Sequence, residues 1–275
     1  MATVATTSSS VGGPRPDVLS GTPRAHAVDR WIYVAMAAWF IAIVLVAFIP
    51  DSLGRIAAIQ ANQRPPFPLI AHVHAVLMGS FLLLLLAQTV LVATGRCQFH
   101  RRLGLTAMVL VPALVIAGLI LAPTTYHGVW NGAHFGPPAA QAALTPVLPA
   151  LENILLLQIR IGILFSLFLT LALRARGENA GLHKRMMFLG TAVALPAAID
   201  RMWWLPTTLP HNAVATDLYV VAAVLPMFAW DVVRNRSVHR AYWVWGSVYL
   251  VASVVVNMLW DTPGWHATAQ RIYGV

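Results

Sequence analysis

The chain has 275 residues, of which 59% are hydrophobic and only 10% are charged, and its mean hydropathy is +0.71. Water-soluble domains are closer to half apolar and a quarter charged, so these values exclude an ordinary soluble protein and predict an integral membrane protein. One cysteine, Cys97, excludes an internal disulfide and a cysteine-rich metal site. The net charge of +9 does not indicate nucleic acid as a partner, because the cations lie in short links between apolar runs.

The amino-terminal segment differs in composition from the rest of the chain. Residues 1–28 are mainly Ser, Thr, Gly, Pro and Ala with scattered Arg, which is too polar a mixture to pack, so we expect a disordered cytoplasmic tail. The segment does not resemble a cleavable signal peptide, because the first apolar run starts too late and is too long. Residues 29–262 form the predicted membrane domain, and residues 263–275 form a short outer tail.

Seven apolar runs follow the tail, and each approaches the roughly 20 residues that a helix needs to cross a bilayer. The sequence therefore predicts an all-α fold, a bundle of seven transmembrane helices. The predicted spans are Trp31–Ile49, Leu69–Val92, Leu103–Ala122, Ile154–Leu173, Met186–Leu205, Ala213–Val233 and Ala241–Trp260. Pro50 and Pro123 are expected to end the first and third of them.

Cations predict the orientation of these spans, because Lys and Arg concentrate in the cytoplasmic links of membrane proteins. Most of them lie in the tail and in three short links, whereas few lie on the other side. The asymmetry predicts that the amino terminus is inside and the carboxyl terminus outside. The first group holds Arg15, Arg24, Arg30, Arg96, Arg101, Arg102, Arg174, Arg176, Lys184, Arg185, Arg234, Arg236 and Arg240, and the second holds Arg55, Arg64, Arg201 and Arg271.

One connection is long. Residues 123–152 are rich in Gly and Pro and almost free of charge, so we expect an outer loop that covers the bundle as a cap or lid.

A short motif occurs three times, each time where a cationic link opens an apolar run. It is centred on His100, His183 and His239. A proline follows His100 after 12 residues, as Pro112, and follows His183 after 13 residues, as Pro196. The pattern favours repeated helical hairpins that arose by duplication, although helix starts after basic links also look alike in unrelated membrane proteins.

Several motifs resemble a known group. His74-Ala75-Val76, the run from Gln88 to Arg96, Phe99-His100-Arg101-Arg102-Leu103-Gly104 and His183-Lys184-Arg185-Met186-Met187 with Arg201 are similar to uncharacterised bacterial DUF2306-type multi-pass membrane proteins. The resemblance covers roughly the second to fifth spans and implies no particular chemistry. More loosely, the His motifs resemble the helices of cytochrome b561-type proteins in which paired histidines bind haem b.

The residues themselves also favour haem b as a cofactor. A six-coordinate haem in a helix bundle needs two imidazoles from facing helices, small residues beside the ring and cations for the propionates. On the inner side, the iron ligands would be His100 and His183. The supporting residues there would be Gly104, Gly190, Arg101, Arg102, Lys184 and Arg185. On the outer side, His74 with His127 or His134 would bind a second haem, and His72 lies beside them.

Three alternatives stay open at this point. Each histidine is also explained as a solvated side chain at the membrane interface. His72, His74, His127 and His134 with Glu152 would suit a copper, zinc or iron centre. Charged groups inside apolar runs usually mark a pathway or an ion pair. The residues of such a pathway or pocket would be Arg160, Gln158, Asp200, Arg201 and Glu152. Asp217 would pair with Arg160 or with the Asp200-Arg201 stretch.

These observations predict a protein of the bacterial inner (cytoplasmic) membrane that carries electrons through haem b, as a component of a membrane oxidoreductase. Its partners would be the lipid bilayer and either a quinone or a redox partner protein, with no nucleic acid. The alternative function is a transporter of protons or small solutes, or a ligand-sensing membrane protein, that uses an outer pocket.

Overall fold

The computed structural model describes residues 26–275, and this part of the chain is all-helical, without any β-strand. Residues 1–25, and with them most of the predicted tail, lie outside the described residues. The helices are α1 (Ala27–Gln60), α2 (Leu69–Ala93), α3 (Cys97–Leu103), α4 (Ala107–Phe135), α5 (Pro138–Leu144), α6 (Leu148–Ala175), α7 (Ala180–Ala192), α8 (Pro196–Ile199), α9 (Val214–Asn235), α10 (Arg240–Leu259) and α11 (Pro263–Tyr273).

Within residues 26–275, six helical segments are long and apolar enough to cross a membrane. They are α1, α2, the nearly continuous pair α3 and α4, the pair α5 and α6, α9 and α10. Large apolar side chains such as Leu83, Val109 and Leu250 lie exposed on these helices, as expected of surfaces that contact lipid. The chain therefore has the fold of a multi-pass membrane protein.

The fifth predicted span, Met186–Leu205, is not one helix. Helix α7 ends at Ala192, a turn follows, and the four-residue helix α8 begins at Pro196. Proline has no N–H to donate, and its ring collides with the carbonyl four residues earlier, which is that of Ala192. The 13 residues of α7 rise only about 20 Å, which is short of a bilayer core.

Two other prolines do not end helices, contrary to the prediction. Pro50 lies inside α1, and Pro123 lies inside α4. After Pro123, the hydroxyls of Thr124 and Thr125 donate to the carbonyls of Ile120 and Leu121 at 2.7 and 2.9 Å. Hydroxyls of this kind satisfy carbonyls in the turn that the proline disturbs, and the helix continues.

The predicted outer loop and outer tail are both helical. Residues 123–152 form the last turns of α4, the short helix α5 and the start of α6, so the loop prediction is wrong. Residues 263–275 hold α11, whose Trp265, Ala269 and Tyr273 are buried against α4 and α6. The tail is therefore part of the packed structure.

Helix α6 lies at the centre of the bundle. It packs against α4, α7, α10 and α11, and its residues Phe168, Leu169 and Ala172 are fully buried. The α6–α7 hairpin is the most extensive contact between two helices, which places the start of α7 beside the end of α6.

Side-chain contacts show which helix ends lie together. At one end, Arg234 of α9 pairs with Asp29 of α1, and His183 contacts Ala172. We call this the cationic end, since the three arginine-rich links lie there. At the opposite end, Arg201 pairs with Asp51 of α1. The segment that holds α7 and α8 thus runs from His183 at the cationic end to Arg201 at the opposite end.

Candidate functional site

The two histidines predicted as a pair do lie together at the cationic end. The ring centres of His100 on α3 and His183 on α7 are 6.3 Å apart, and the ring planes are inclined by 75°. Both rings are partly buried. They come from helices that are separated by more than 80 positions in sequence, so the fold itself creates the pair.

Each ring is held by a second group. The Nδ1 of His183 donates to the carbonyl of Ala172 at 2.8 Å, across the α6–α7 hairpin. The amide of Gln88 on α2, oriented so that both of its polar atoms are satisfied, donates to His100 Nδ1 at 2.5 Å and to the His100 carbonyl at 3.0 Å. Its oxygen accepts from the Gly104 N–H at 2.7 Å. The His183 contact is of the kind that orients a metal-bound imidazole, because the ring donates its second N–H. His100 differs, since its Nδ1 accepts from Gln88, which leaves the proton of the neutral ring on Nε2.

The spacing of the rings would suit two imidazoles that hold one iron between them. Two imidazoles on opposite sides of a metal, each bound at about 2 Å, have ring centres on the order of 6 Å apart. The bond from His183 Nδ1 to Ala172 leaves the Nε2 of that ring for a metal. The spacing of the pair therefore suits a shared iron, and His183 has a free Nε2. His100 would bind iron through Nε2 only if the Gln88 amide turned so that Nδ1 donates to its oxygen.

The glycines do not form the predicted flat slot. A Cβ at Gly104 would meet the Gln88 side chain at 3.5 Å, and one at Gly190 would meet the Cβ of Phe168 at 3.1 Å. Gly190 thus permits close packing of α7 on α6. The two histidines therefore have the spacing of iron ligands, but these two glycines do not leave a flat space for the haem ring.

The predicted propionate cations divide into two groups. Arg101 and Arg102 are exposed on α3, beside His100. Arg185 points inward instead, where its side chain is 0% exposed and binds Asp231 of α9 through two nitrogens, Nη2 at 2.7 Å and Nε. The ammonium of Lys184 lies 5.2 Å from the centre of the Tyr33 ring. Only the arginines of α3 are free to meet a propionate, so the prediction for Arg185 is wrong.

The predicted outer histidines are not brought together. His74 of α2 faces Gly118 of α4, whereas His127 lies nine residues further along α4, a rise of about 13 Å. His127 donates to the carbonyl of Tyr273 at 2.6 Å. His134 stacks on Trp130 of its own helix. His72 is exposed against Phe67. A second haem has no ligand pair here.

Glu152, the acidic member of the predicted metal site, has other partners. Its carboxylate accepts from Tyr126 at 2.8 Å and from Gln270 at 3.0 Å, and His266 Nδ1 lies 2.6 Å away. No group of three or more His, Cys, Asp or Glu side chains in residues 26–275 is arranged to hold a metal ion. The carboxylate instead fastens α11 to the bundle.

A second buried site lies deep in the bundle. The guanidinium of Arg160 on α6 lies 2.6 Å from the carboxylate of Asp217 on α9, and the two residues are 4% and 7% exposed. Asp217 also accepts from Tyr249 at 2.9 Å and from Ser253, both on α10. Among the described residues, neither terminal nitrogen of Arg160, Nη1 or Nη2, has a hydrogen-bond partner of good geometry, although Nη2 is the atom that lies 2.6 Å from Asp217. Arg160 thus pairs with Asp217, which is one of the pairings that the sequence left open.

The remaining pathway residues surround this pair in part. The carboxylate of Asp200 accepts from the hydroxyl of Thr216 at 2.6 Å, and Thr216 immediately precedes Asp217 in sequence. Asp200 and Thr216 both line a cavity of about 70 Å³ at the end of the bundle opposite the cationic end. Arg201 turns away to Asp51. Gln158 is exposed on the outer face of α6 and has no part in the cluster.

Sequence reasoning missed the groups around α11. His266 lies between two carboxylates. Its Nδ1 contacts Glu152, as described above, and its Nε2 is 3.1 Å from the carboxylate of Asp261. Asn153 donates to the same carboxylate at 3.3 Å. Hydrogen bonds from His266 and Asn153 hold the pKa of the Asp261 carboxyl below its ordinary value. Thr262 followed by Pro263 is a helix-start signal that could have predicted α11.

Fold and site together define the class: an all-helical, multi-pass membrane protein with an imidazole pair at one end and a buried Arg–Asp pair in its interior. Comparison of the chain with protein-family models, with curated proteins and with solved structures found no match. Functional proposals therefore depend on the geometry of these residues.

Proposed function

We propose that this protein resides in the bacterial inner (cytoplasmic) membrane, binds one haem b through His100 and His183, and carries electrons. The 6.3 Å separation of the two ring centres is the observation that supports it. When bound, haem b supplies a one-electron couple. The donor would be a quinol or a cytoplasmic protein, and the acceptor would lie on the outer side.

The protein residues would have separate tasks in this function. His100 and His183 hold the iron. The amide of Gln88 and the carbonyl of Ala172 keep the two rings in place. Arg101 and Arg102 meet the negative charge of the propionates, as guanidinium groups commonly do with carboxylates.

We further propose seven crossings, with the amino terminus inside and the carboxyl terminus outside. The broken segment that holds α7 and α8 would be the seventh crossing. Its first end contacts α6 at the cationic end, through His183, and its last end contacts α1 at the opposite end, through Arg201. Broken helices occur at membrane depth when protein surrounds them, and most of α7 is buried. The cationic end would then face the cytoplasm.

The test of haem binding is spectroscopic. Protein expressed with haem supplied and purified in detergent is expected to show a Soret band that shifts on reduction with dithionite, with about one haem per chain. His100→Ala and His183→Ala are each expected to abolish the band. His72→Ala is the control, because that ring is exposed and distant from the pair. A colourless wild-type protein, or a band that survives in both ligand variants, would contradict the proposal.

The cluster around Asp217 favours a second candidate, a pathway for protons. The hydroxyl of Thr216 donates to Asp200 at the cavity, and the next residue of α9, Asp217, pairs with Arg160. Such chains of ionisable groups at membrane depth often conduct protons.

Proton flux into liposomes tests this candidate. Asp217→Asn and Thr216→Val are expected to abolish flux. Thr191→Val is the matched control, because the Thr191 hydroxyl is buried but donates only within its own helix. Equal flux through wild-type and variant proteins would exclude the pathway.

A further inference from the structure

A groove lies at the cationic end, where α2 turns into α3. Three apolar side chains line it, those of Leu91, Phe99 and Leu103, together with Arg96 and Arg102, and its volume is about 410 Å³. Gly95, with φ +76°, makes the turn possible, because this left-handed conformation is strained for other residues. The turn brings the side chains of α3 beside the last turn of α2.

The charge of the groove is uncompensated. Arg96 and Arg102 are both exposed, and within residues 26–275 neither forms an ion pair with a carboxylate. Arg234 at the same end differs, since it pairs with Asp29. Two free guanidinium groups therefore flank an apolar surface.

We propose that this groove binds an anionic phospholipid. The phosphate group would lie on Arg96 and Arg102, since guanidinium groups bind phosphate through paired hydrogen bonds. An acyl chain would lie on Leu91, Phe99 and Leu103.

Two features of the groove favour this ligand over others. Phe99 is 61% exposed and Leu103 is 37% exposed, at the end of two helices apolar enough to cross a membrane. Surfaces of that kind contact lipid rather than a water-soluble ligand. A zwitterionic lipid would bring its own ammonium group toward the arginines, whereas an anionic lipid would not. Basic pockets between helices on the cytoplasmic side of membrane proteins bind anionic head groups.

Lipid binding is measured on the purified full chain in detergent, by native mass spectrometry and by the shift of the thermal unfolding temperature. The added probes are phosphatidylglycerol, phosphatidylcholine and inorganic phosphate. We expect phosphatidylglycerol to bind and stabilise, phosphatidylcholine to do so about tenfold less well, and inorganic phosphate to have no effect, because it lacks the acyl chain.

The double variant Arg96→Gln with Arg102→Gln is expected to weaken phosphatidylglycerol binding by about tenfold or more. The matched control is Arg174→Gln with Arg240→Gln, which removes the same charge from exposed arginines of the same end but outside the groove. Phe99→Ala is expected to weaken binding of long-chain lipid more than that of short-chain lipid.

Equal losses in the two double variants would show a general charge effect and would overturn the proposal. Stabilisation by inorganic phosphate alone would also overturn it, since it would indicate a phosphate site without a lipid. Neither measurement reads haem, but Arg102 is also proposed to meet a propionate, so the Soret band of each variant is recorded as well. Weakened lipid binding in haem-free wild-type and variant protein compared side by side separates this proposal from the electron-carrier function.

Discussion

The guanidinium of Arg160 and the carboxylate of Asp217 lie 2.6 Å apart in the interior of the bundle, on helices α6 and α9. Removal of one partner from a buried pair leaves the other charge without compensation. The ion pair connects α6 to α9, and the hydrogen bonds from Tyr249 and Ser253 to Asp217 connect it to α10. We therefore expect it to stabilise the fold.

We expect Arg160→Met and Asp217→Leu each to lower the free energy of unfolding by about 3–5 kcal/mol. The double variant is expected to recover most of this loss, because it leaves no buried charge unpaired. Thermal unfolding in detergent measures these differences. Arg55→Gln is the control, since Arg55 pairs with Asp51 at the surface, where such pairs contribute about 1 kcal/mol or less. Additive losses in the double variant would show that the two charges do not stabilise one another.

The pair of Arg185 with Asp231 depends on the shape of the arginine side chain as well as on its charge. Two guanidinium nitrogens contact the carboxylate, and Asn235 donates to it as well. Lysine keeps the charge but cannot make two parallel hydrogen bonds, so we expect Arg185→Lys to cost about 1.5–3 kcal/mol of unfolding free energy.

Thermal unfolding with Arg101→Lys as the control tests this expectation, because Arg101 is exposed. The haem content per folded chain is expected to stay unchanged in Arg185→Lys. If Arg185→Lys lost haem without losing stability, the result would contradict a structural role for Arg185 and would support contact with a propionate.

Local composition correctly predicted six of the seven apolar spans as continuous helices. A chain in lipid has no water to bind its backbone N–H and C=O groups, so an apolar run must pair them within a helix. It could not predict how each proline acts. Pro123 leaves α4 continuous and Pro196 interrupts the fifth predicted span, although both stand in apolar runs. The outcome depends on neighbouring side chains, such as the hydroxyls of Thr124 and Thr125, and on tertiary packing.

The candidate sites show the same division. Arg160 and Asp217 stand out as charges in apolar runs, so both could be identified from the sequence, although the partner of Arg160 could not. Arg185 lies in a basic link and looked like a surface cation, whereas its partner Asp231 is 46 positions away. Pairings across such distances depend on how α7 packs against α9, which no local pattern contains. The pairing of His100 with His183 was predictable only because their motifs repeat.

Gln88 offers a test of how the imidazole pair is held, and this prediction depends on the proposed haem. Gln88→Leu removes the amide that, once turned to accept from His100 Nδ1, would support the metal-bound ring, and loss of such a group typically weakens metal binding about 10–100-fold. Haem titration followed by the Soret band measures the affinity. Thr89→Val is the matched control, since the neighbouring hydroxyl donates to a carbonyl of its own helix. Unchanged affinity in Gln88→Leu would exclude a supporting role.

The docking of α11 is expected to depend on acid. Hydrogen bonds from His266 and Asn153 depress the pKa of Asp261, so the ionised carboxylate is favoured in the folded state. The resulting stabilisation is complete above the ordinary pKa of 3.8 and is lost as the pH falls through the lower pKa of the folded state.

The protection of the amides of residues 263–273 against hydrogen exchange, taken relative to the intrinsic exchange rate at each pH, measures this loss between pH 6 and pH 3, since amides of a detached helix lose protection. These two pH values lie on either side of the ordinary pKa of 3.8. Asp261→Asn cannot ionise but retains an acceptor oxygen, so α11 in this variant is expected to be less protected at pH 6 and less sensitive to acid. An acid response as large in Asp261→Asn as in the wild type would assign the effect to another carboxylate, of which Glu152, bonded to Tyr126 and Gln270, is the nearest to α11.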